Sequence, residues 1–125
     1  MCGISGYYTL NNSFSSNDLH ITTKSLGHRG PDASGVFAED RAGLGHTRLS
    51  ILDTSKSANQ PMHSHEGRYV ISYNGEVYNF KEIARAFNII QRTGSDTEVI
   101  LELFIKKGGD FVHELNGMFA IAIYD

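Results

Sequence analysis

The chain has 125 residues, 40% of them apolar, and a formal net charge of −3 at pH 7, which suits one domain or part of one. No Lys/Arg run exceeds the pair Lys106 and Lys107, and this argues against a nucleic-acid or acidic-membrane surface. The N-terminus shows no secretory signal, and no apolar stretch approaches the roughly 18 residues that span a bilayer. Cys2 is the only cysteine, so an intrachain disulfide is impossible and a cytoplasmic location is expected.

The first half of the chain predicts short strands around one helix. Residues 3–9 are small, aromatic and β-branched, which is typical of a strand. A helix is expected over residues 16–26, where the following glycine would end it. Short strands are expected near 35–38 and 43–48. The polar segment 52–67 is expected to be a long loop of the kind that often carries function.

The second half begins with RYVISYN, an apolar segment that predicts a strand ending at a sharp turn formed by Asn74 and Gly75. Asn79 and Glu82 have the spacing of a capping box and predict the start of a helix. The face that this helix would bury comprises Phe80, Ile83 and Phe87.

The clearest helix signal begins at Ser95, which has capping-box spacing to Glu98. The apolar stripe comprises Val99, Ile100, Leu103 and Phe104, and the polar side opposite comprises Glu98, Glu102 and Lys106. Gly108 and Gly109 are expected to end this helix.

The final segment, GMFAIAIYD, is apolar on both faces of a strand. This pattern predicts a strand buried on both faces inside a layered α plus β fold. A central strand at the end of the chain suggests a domain that continues.

Cys2 has a chemical explanation as well as a structural one. Methionine before a small residue is normally removed, which would leave Cys2 with an α-amine whose pKa is about 8. The amine can take the thiol proton directly or through a water, so nucleophile and general base lie on one residue. Taken alone, Cys2 is better explained as a small apolar residue near a chain end.

Three more motifs each have two explanations. The Asn74 carboxamide and the Gly75 N–H could form an oxyanion hole, although Asn-Gly is also a common hairpin turn. Arg48, in the apolar segment GHTRLSILD, either holds a planar anion such as an α-carboxylate or forms an internal salt bridge. Asp96 either complements the helix dipole or serves as the counter-ion of a substrate ammonium.

The loop HRGPDASG is polar and bounded by glycine. Arg29 in this loop is expected to brace the N-terminal segment, and His28 is interpreted as a structural histidine. His63 and His65 have no cysteine or carboxylate at metal-ligand spacing, so we expect no metal site.

Together and in this order, six motifs resemble the class II glutamine amidotransferase domain: MCGI, HRGPDASG, GHTRLSILD, NGEVYN, GSDTEV and GMFAIAIYD. The segments LSILD and NGEVYN are similar to the corresponding sequences of the asparagine synthetase branch of this family. The resemblance covers the chain from Cys2 to Asp125 and implies that residues 1–125 are the N-terminal portion of a glutaminase domain. It also implies the N-terminal nucleophile hydrolase fold, an α+β, αββα sandwich of two antiparallel sheets between helical layers, incomplete at the C-terminus.

The resemblance implies catalytic roles for three residues. Cys2, exposed by loss of Met1, matches the thiol nucleophile and supplies the amine base. Asn74 and the N–H of Gly75 match the oxyanion hole. Arg29 lies in the loop that packs near the nucleophile.

The resemblance also implies how glutamine is held. Arg48 matches the residue that binds the α-carboxylate, and Asp96 with Glu76 matches the site for the α-ammonium. The backbone near Ile51 and Leu52 is expected to line the pocket.

The implied reaction releases ammonia for a covalently linked synthetase domain, absent from this chain, with aspartate as the leading acceptor. ATP and Mg²⁺ are expected only in that domain, no cofactor is expected here, and a homodimer is possible. Two alternatives stay open: a non-catalytic, truncated or degenerate domain that binds glutamine or a protein, and an N-terminal nucleophile hydrolase acting on another amide.

Overall fold

A computed structural model describes residues 2–50 and 53–125. The strands are β1 (Gly3–Tyr8), β2 (Ala33–Ala38), β3 (Ala42–Arg48), β4 (Met62–His63), β5 (Val70–Val77) and β6 (Gly117–Tyr124). The helices are α1 (Ser16–Ser25), α2 (Phe80–Ala86) and α3 (Asp96–Lys107), with two 3₁₀ segments, Lys56–Ala58 and Gly108–Glu114. Expectations about Met1, Ile51 and Leu52 concern residues outside these ranges. Among the described helices, none is long and apolar enough to cross a membrane.

The strands form two antiparallel sheets of three. The first sheet has the order β1-β3-β2, with Gly3 opposite Thr47. The second has the order β4-β5-β6, with Asn74 opposite Ala120. Helix α1 packs on the first sheet, and α3 packs on β5 of the second.

The two sheets face each other through β3 and β5. Because side chains alternate along a strand, Gly45 faces α1, where an added Cβ would lie 2.0 Å from Thr23 Oγ1, and His46 faces the second sheet. Ser72 Oγ donates to the carbonyl oxygen of Gly45 across the gap, at 3.0 Å. The order of layers is therefore helix, sheet, sheet, helix, and the αββα prediction is confirmed.

Helix α3 supplies the main core. Three residues of the predicted stripe, Val99, Ile100 and Leu103, are completely buried, and Phe104 packs edge-on against Phe111. Burying one such aliphatic side chain stabilises a fold by roughly 1.5–3 kcal/mol. This face fixes α3 against β5 and thereby sets the position of the helix start.

The prediction of a turn at Asn74 and Gly75 is wrong. Strand β5 continues to Val77 and pairs with β6 along its whole length. A Cβ at Gly75 would lie 2.2 Å from the carbonyl oxygen of Met118. The glycine therefore permits close approach of two backbones instead of forming a turn.

The capping box predicted at Asn79 does not form. The Asn79 carboxamide donates to the carbonyl oxygen of Glu114 at 2.8 Å and accepts from the N–H of Asn116 at 2.9 Å. The side chain makes no cap hydrogen bond to the helix. Asn79 instead connects the end of β5 to the segment entering β6.

The capping box predicted at Ser95 is half formed. Ser95 Oγ accepts from the N–H of Thr97 at 3.2 Å, but Glu98 does not return to Ser95. The Glu98 carboxylate accepts instead from the N–H groups of Arg92 and Thr93. Glu98 was expected on the polar side of the helix, and this is wrong because its side chain is buried to anchor the preceding loop.

The final strand is not buried on both faces. Met118 is 65% exposed and Phe119 is 40% exposed. Strand β6 lies at the edge of its sheet and pairs, within the described part of the chain, with β5 alone. Adjacent side chains lie on opposite faces of a strand, so neither face of β6 is covered by the described residues at Met118 and Phe119.

Candidate active site

A cavity of about 140 Å³ lies between the two sheets and the start of α3. Six of the residues singled out from the sequence line it: Cys2, Arg48, Asn74, Gly75, Glu76 and Asp96. These residues come from the chain start, the end of β3, the middle of β5 and the first turn of α3. The fold thus brings together residues that are up to 94 positions apart.

Cys2 lies immediately before β1, half-buried, at the end of the first sheet. Gly3 pairs with Thr47 as the last pair of the β1–β3 ladder, so Cys2 and Arg48 are the residues next to that pair on their two strands. The N–H of Leu49 donates to Cys2 Sγ at 3.4 Å, and Sγ lies 3.7 Å from the Leu49 carbonyl oxygen. The chain start is therefore held in place by the residue that follows β3.

Arg29 holds the same segment from the other side. Its Nε donates to the carbonyl oxygen of Cys2 at 3.1 Å. The next residue, Gly30, packs on β3 so closely that a Cβ would lie 2.4 Å from the carbonyl carbon of Thr47. The loop and the arginine together fix the backbone of Cys2.

Arg48 is 93% buried yet makes no ion pair with a described residue. Its Nη1 donates to the Ser55 carbonyl oxygen and to Asn59 Oδ1, both at 2.7 Å. Its Nη2 donates to the carbonyl oxygen of Asp53. The internal salt bridge considered from the sequence is not seen, since all three acceptors are neutral. A full positive charge therefore remains beside the cavity.

Asp53 connects the loop that follows β3, which also contains Ser55 and Asn59, to the segment before α3. Its Oδ1 accepts from the N–H of Ser55 at 2.7 Å, and its Oδ2 accepts from the N–H of Gly94 at 2.8 Å. Hydrogen bonds from Ser55, and then that from Gly94, hold the pKa of Asp53 below its usual value. Asp53 and Asn59 were not singled out from the sequence, where the polar composition of 52–67 was the only signal.

The hydrogen-bond phase of β5 decides where the N–H of Gly75 points. The N–H of Tyr78 donates to the carbonyl oxygen of Asn116, its partner across the ladder, at 2.8 Å. Bonded and non-bonded pairs alternate along an antiparallel ladder. Residues at odd positions in β5 therefore turn their N–H groups away from β6. Ile71 pairs with Met62 of β4, and the odd-numbered residues beyond that pair are Tyr73, Gly75 and Val77.

Two of these three N–H groups have acceptors. The N–H of Tyr73 donates to Gln60 Oε1 at 2.6 Å, and that of Val77 donates to Asp96 Oδ2 at 3.1 Å. The N–H of Gly75, between them, has no acceptor among the described residues. It is therefore an available donor at the cavity wall.

Asn74 and Gly75 are neighbours in β5, so the Asn74 side chain lies on the opposite face of the strand from the Gly75 position. Alternation puts Asn74 on the face of Ser72, which bonds to Gly45 in the first sheet. The carboxamide therefore points toward the sheet that carries Cys2. Glu76 shares this face and is exposed.

Asp96 is the first residue of α3 and is 4% exposed. One oxygen, Oδ2, accepts from the Tyr73 hydroxyl at 2.7 Å and from the N–H of Val77 at 3.1 Å. The other oxygen, Oδ1, accepts no hydrogen bond from the described residues. Burial, and then the charge of Asp96, raise the pKa of Tyr73 far above its usual value, so the hydroxyl stays protonated and donates.

His46 lies between the sheets beside these groups and is 1% exposed. Burial lowers its pKa to about 4, against a raising effect of the hydrogen bond to Tyr73, and the nearby Arg48 lowers it further. The ring is therefore neutral at pH 7. Its Nε2 lies 3.0 Å from the Tyr73 carbonyl oxygen, which only accepts, so the proton is on Nε2.

The cavity therefore offers an unpaired cation and an unpaired anion. Arg48 and Asp96 both line it, and neither forms an ion pair with a side chain within residues 2–50 and 53–125. The Cys2 thiol and the available N–H of Gly75 line the same cavity. The arrangement suits a small zwitterion that also carries a reactive carbonyl group.

The fold is shared with a solved amidotransferase. The glutamine phosphoribosylpyrophosphate amidotransferase from Bacillus subtilis matches 98% of this chain and 34% of its own with a TM-score of 0.70, at 23% sequence identity. At that identity the likeness concerns the fold, which is that of the N-terminal nucleophile hydrolases.

The sequence comparisons identify the protein family to which this chain belongs. The family described as "Glutamine amidotransferase domain" matches residues 1–125, and the chain belongs to this family. Asparagine synthetase B [glutamine-hydrolyzing] of Escherichia coli is 46% identical over 78% of this chain and 18% of its own length. Asparagine synthetase [glutamine-hydrolyzing] 2 of Bacillus subtilis is 38% identical over the whole chain and 17% of its own length. The chain thus spans less than a fifth of these relatives.

Proposed function

We propose that this domain hydrolyses the side-chain amide of glutamine through the thiol of Cys2, as the glutaminase half of an asparagine synthetase. The observation that supports the proposal is the convergence of Cys2, Arg48, Asp96 and the free Gly75 N–H on one cavity. Glutamine has a cationic and an anionic group at one end and the reactive amide at the other. The cavity has a counterpart for each.

The amino-acid end of glutamine is bound by the two unpaired charges. A carboxylate accepts stronger hydrogen bonds from a guanidinium than carbonyl oxygens do, so the α-carboxylate competes well for Arg48. The α-ammonium binds Asp96 through Oδ1, with the exposed Glu76 as a second anion.

The amide end is attacked by sulfur. Removal of Met1 leaves an α-amine on Cys2 that accepts the thiol proton. The thiolate forms a bond to the amide carbon, the carbon–nitrogen bond breaks, and the amine returns the proton to the departing nitrogen, so that ammonia leaves. Water then attacks the thioester and yields glutamate and the thiol.

The developing negative charge is stabilised at the β5 wall. As the tetrahedral carbon forms, its oxygen accepts from the N–H of Gly75 and from the Asn74 carboxamide. Both donors belong to a strand fixed on one side by β6 and on the other by the contacts of Tyr73 and Val77. Preorganised donors of this kind need no rearrangement during the reaction.

In the longer protein, the ammonia passes to a covalently linked synthetase domain. We expect that domain to use ATP and Mg²⁺ and to transfer the nitrogen to a carboxylate, with aspartate as the first candidate. This part of the proposal rests on the names and lengths of the relatives and on the sequences of the motifs LSILD and NGEVYN, and not on the geometry of the cavity.

Ammonia and glutamate released from glutamine by the intact protein measure the proposed reaction. We expect equal amounts of both products and none from a Cys2→Ala variant. Binding of glutamine should survive in that variant, since the thiol is not needed for either charge. A folded, Met1-free protein that binds glutamine without hydrolysing it would support the non-catalytic binding alternative instead.

A further inference from the structure

We propose that Tyr73 is a positioning residue for the substrate ammonium, because its hydroxyl holds the Asp96 carboxylate with one oxygen turned to the cavity. This inference rests on the proposed function, in which Asp96 binds the α-ammonium. It adds a residue that belongs to none of the motif positions assigned from the sequence.

Tyr73 is held at three points. Its N–H donates to Gln60 Oε1 at 2.6 Å, its carbonyl oxygen accepts from His46 Nε2 at 3.0 Å, and its hydroxyl donates to Asp96 at 2.7 Å. The residue is 3% exposed, within the core formed by β5 and α3. A side chain so restrained presents its hydroxyl at a fixed place.

The hydroxyl has a specific effect on Asp96. Both donors to this carboxylate, the Tyr73 hydroxyl and the Val77 N–H, bond to the same oxygen, Oδ2. The final torsion of an aspartate is soft, and one N–H alone does not define the orientation of the plane. Two donors on Oδ2 fix that plane and leave Oδ1 for a ligand.

Tyr73 acts through Asp96 and does not reach the reacting atoms. Alternation along β5 puts its ring on the face opposite the Asn74 side chain, toward α3. The sulfur and the first sheet lie on the Asn74 side. A contribution of Tyr73 to amide cleavage itself is therefore not expected.

Tyr73→Phe retains the ring and removes the donor. A hydrogen bond to a charged group is stronger than one between neutral groups, but the Val77 N–H remains bound to Oδ2 in this variant. We therefore expect kcat/KM for glutamine to fall by about 5- to 30-fold. The change should be in KM, with kcat within about twofold of the wild type. Tyr69→Phe is the matched control, because the Tyr69 hydroxyl has no hydrogen-bond partner among the described residues.

Glutaramate separates positioning from a general loss of structure. It has the amide and the carboxylate of glutamine but no ammonium, so its inhibition constant should be the same for the wild type and Tyr73→Phe. An equal weakening of glutamine and glutaramate would show a structural role and overturn the inference. Thermal unfolding of both Phe variants checks that the fold is retained.

A double-mutant cycle provides the second test. If Tyr73 acts through the Asp96 carboxylate, Tyr73→Phe should change kcat/KM by less than twofold in an Asp96→Asn background. Additive losses would contradict the inference. An active wild type with an unaffected Tyr73→Phe variant rejects only this inference, whereas a wild type without glutamine hydrolysis rejects the proposed function.

Discussion

Cys2 and Leu49 are 47 positions apart, yet the amide of Leu49 lies 3.4 Å from the sulfur of Cys2. Leu49 directly follows Arg48, so one short piece of backbone at the end of β3 holds the thiol and carries the guanidinium. The distance between the Cys2 thiol and the Arg48 guanidinium is thereby set by the β1–β3 ladder. A ligand that contacts both groups must therefore fit a separation that the paired strands hold fixed.

Asn74→Ala is expected to slow turnover much more than it weakens binding. In the proposed mechanism the carboxamide donates to the substrate amide oxygen only when negative charge develops there. The value of kcat should therefore fall about 100- to 1000-fold, with KM within a few-fold of the wild type. Steady-state glutamine hydrolysis measures both. Asn17→Ala, at an exposed position of α1, is the control. An unchanged kcat in Asn74→Ala would count against the oxyanion role.

Arg48→Lys is expected to act on binding. Lysine keeps the charge but lacks the planar fork that bonds a carboxylate at two points, so KM for glutamine should rise more than about tenfold while kcat changes less. Arg41→Lys is the matched control, because Arg41 is exposed. If KM stays at its wild-type value in Arg48→Lys, the carboxylate is bound elsewhere.

Gly75→Ala tests the close approach of β5 and β6. The added methyl would lie 2.2 Å from the carbonyl oxygen of Met118, so the strands must separate. We expect the free energy of unfolding in urea to fall by about 1–3 kcal/mol. Gly109→Ala meets no atom within 4 Å and should be close to neutral. Equal stability of the two variants would contradict this packing.

Because of Glu98, the free energy of unfolding should depend on pH in the acidic range. Burial raises its pKa, but hydrogen bonds from His65, Arg92 and Thr93 outweigh this and bring it to about 2, from an ordinary value of 4.5. Because the folded-state pKa is the lower one, the contribution of Glu98 is complete above pH 4.5 and is lost as pH falls toward 2. It is on the order of 2–4 kcal/mol.

Urea unfolding of the wild type and Glu98→Gln at pH 7, 4.5 and 3 measures this contribution. The difference between the two proteins should be largest at pH 7 and should narrow at pH 3. Glu39→Gln, at an exposed position, controls for loss of a surface charge. A difference that is constant over this range would show that the carboxylate's charge plays no part.

The parts of the fold that local patterns determine were predictable. Helix α3 was expected to begin after Ser95 and to bury Val99, Ile100 and Leu103, and it does, because the 3.6-residue period alone selects that face. The same holds for α1, which was expected over 16–26 and ends at Ser25.

The failures are cases where a distant partner overrides a local preference. Asn74 and Gly75 form no turn because β6 pairs across them. Glu98 leaves the helix surface because Arg92 and Thr93, six and five residues earlier, offer it four donors. The contacts of Arg48 with Asn59, and of Asp96 with Tyr73, join separate segments. No spacing rule connects such residues before the fold is known.

The most direct test of the account uses the N-terminus itself. Protein that has lost Met1 and protein that keeps it, because a lysine has been inserted between Met1 and Cys2, are identified by intact mass and assayed for ammonia release from glutamine. We predict hydrolysis by the first and none by the second, with both folded and binding glutamine. Equal activity of the two forms would contradict the claim that the α-amine of Cys2 is the base for its own thiol.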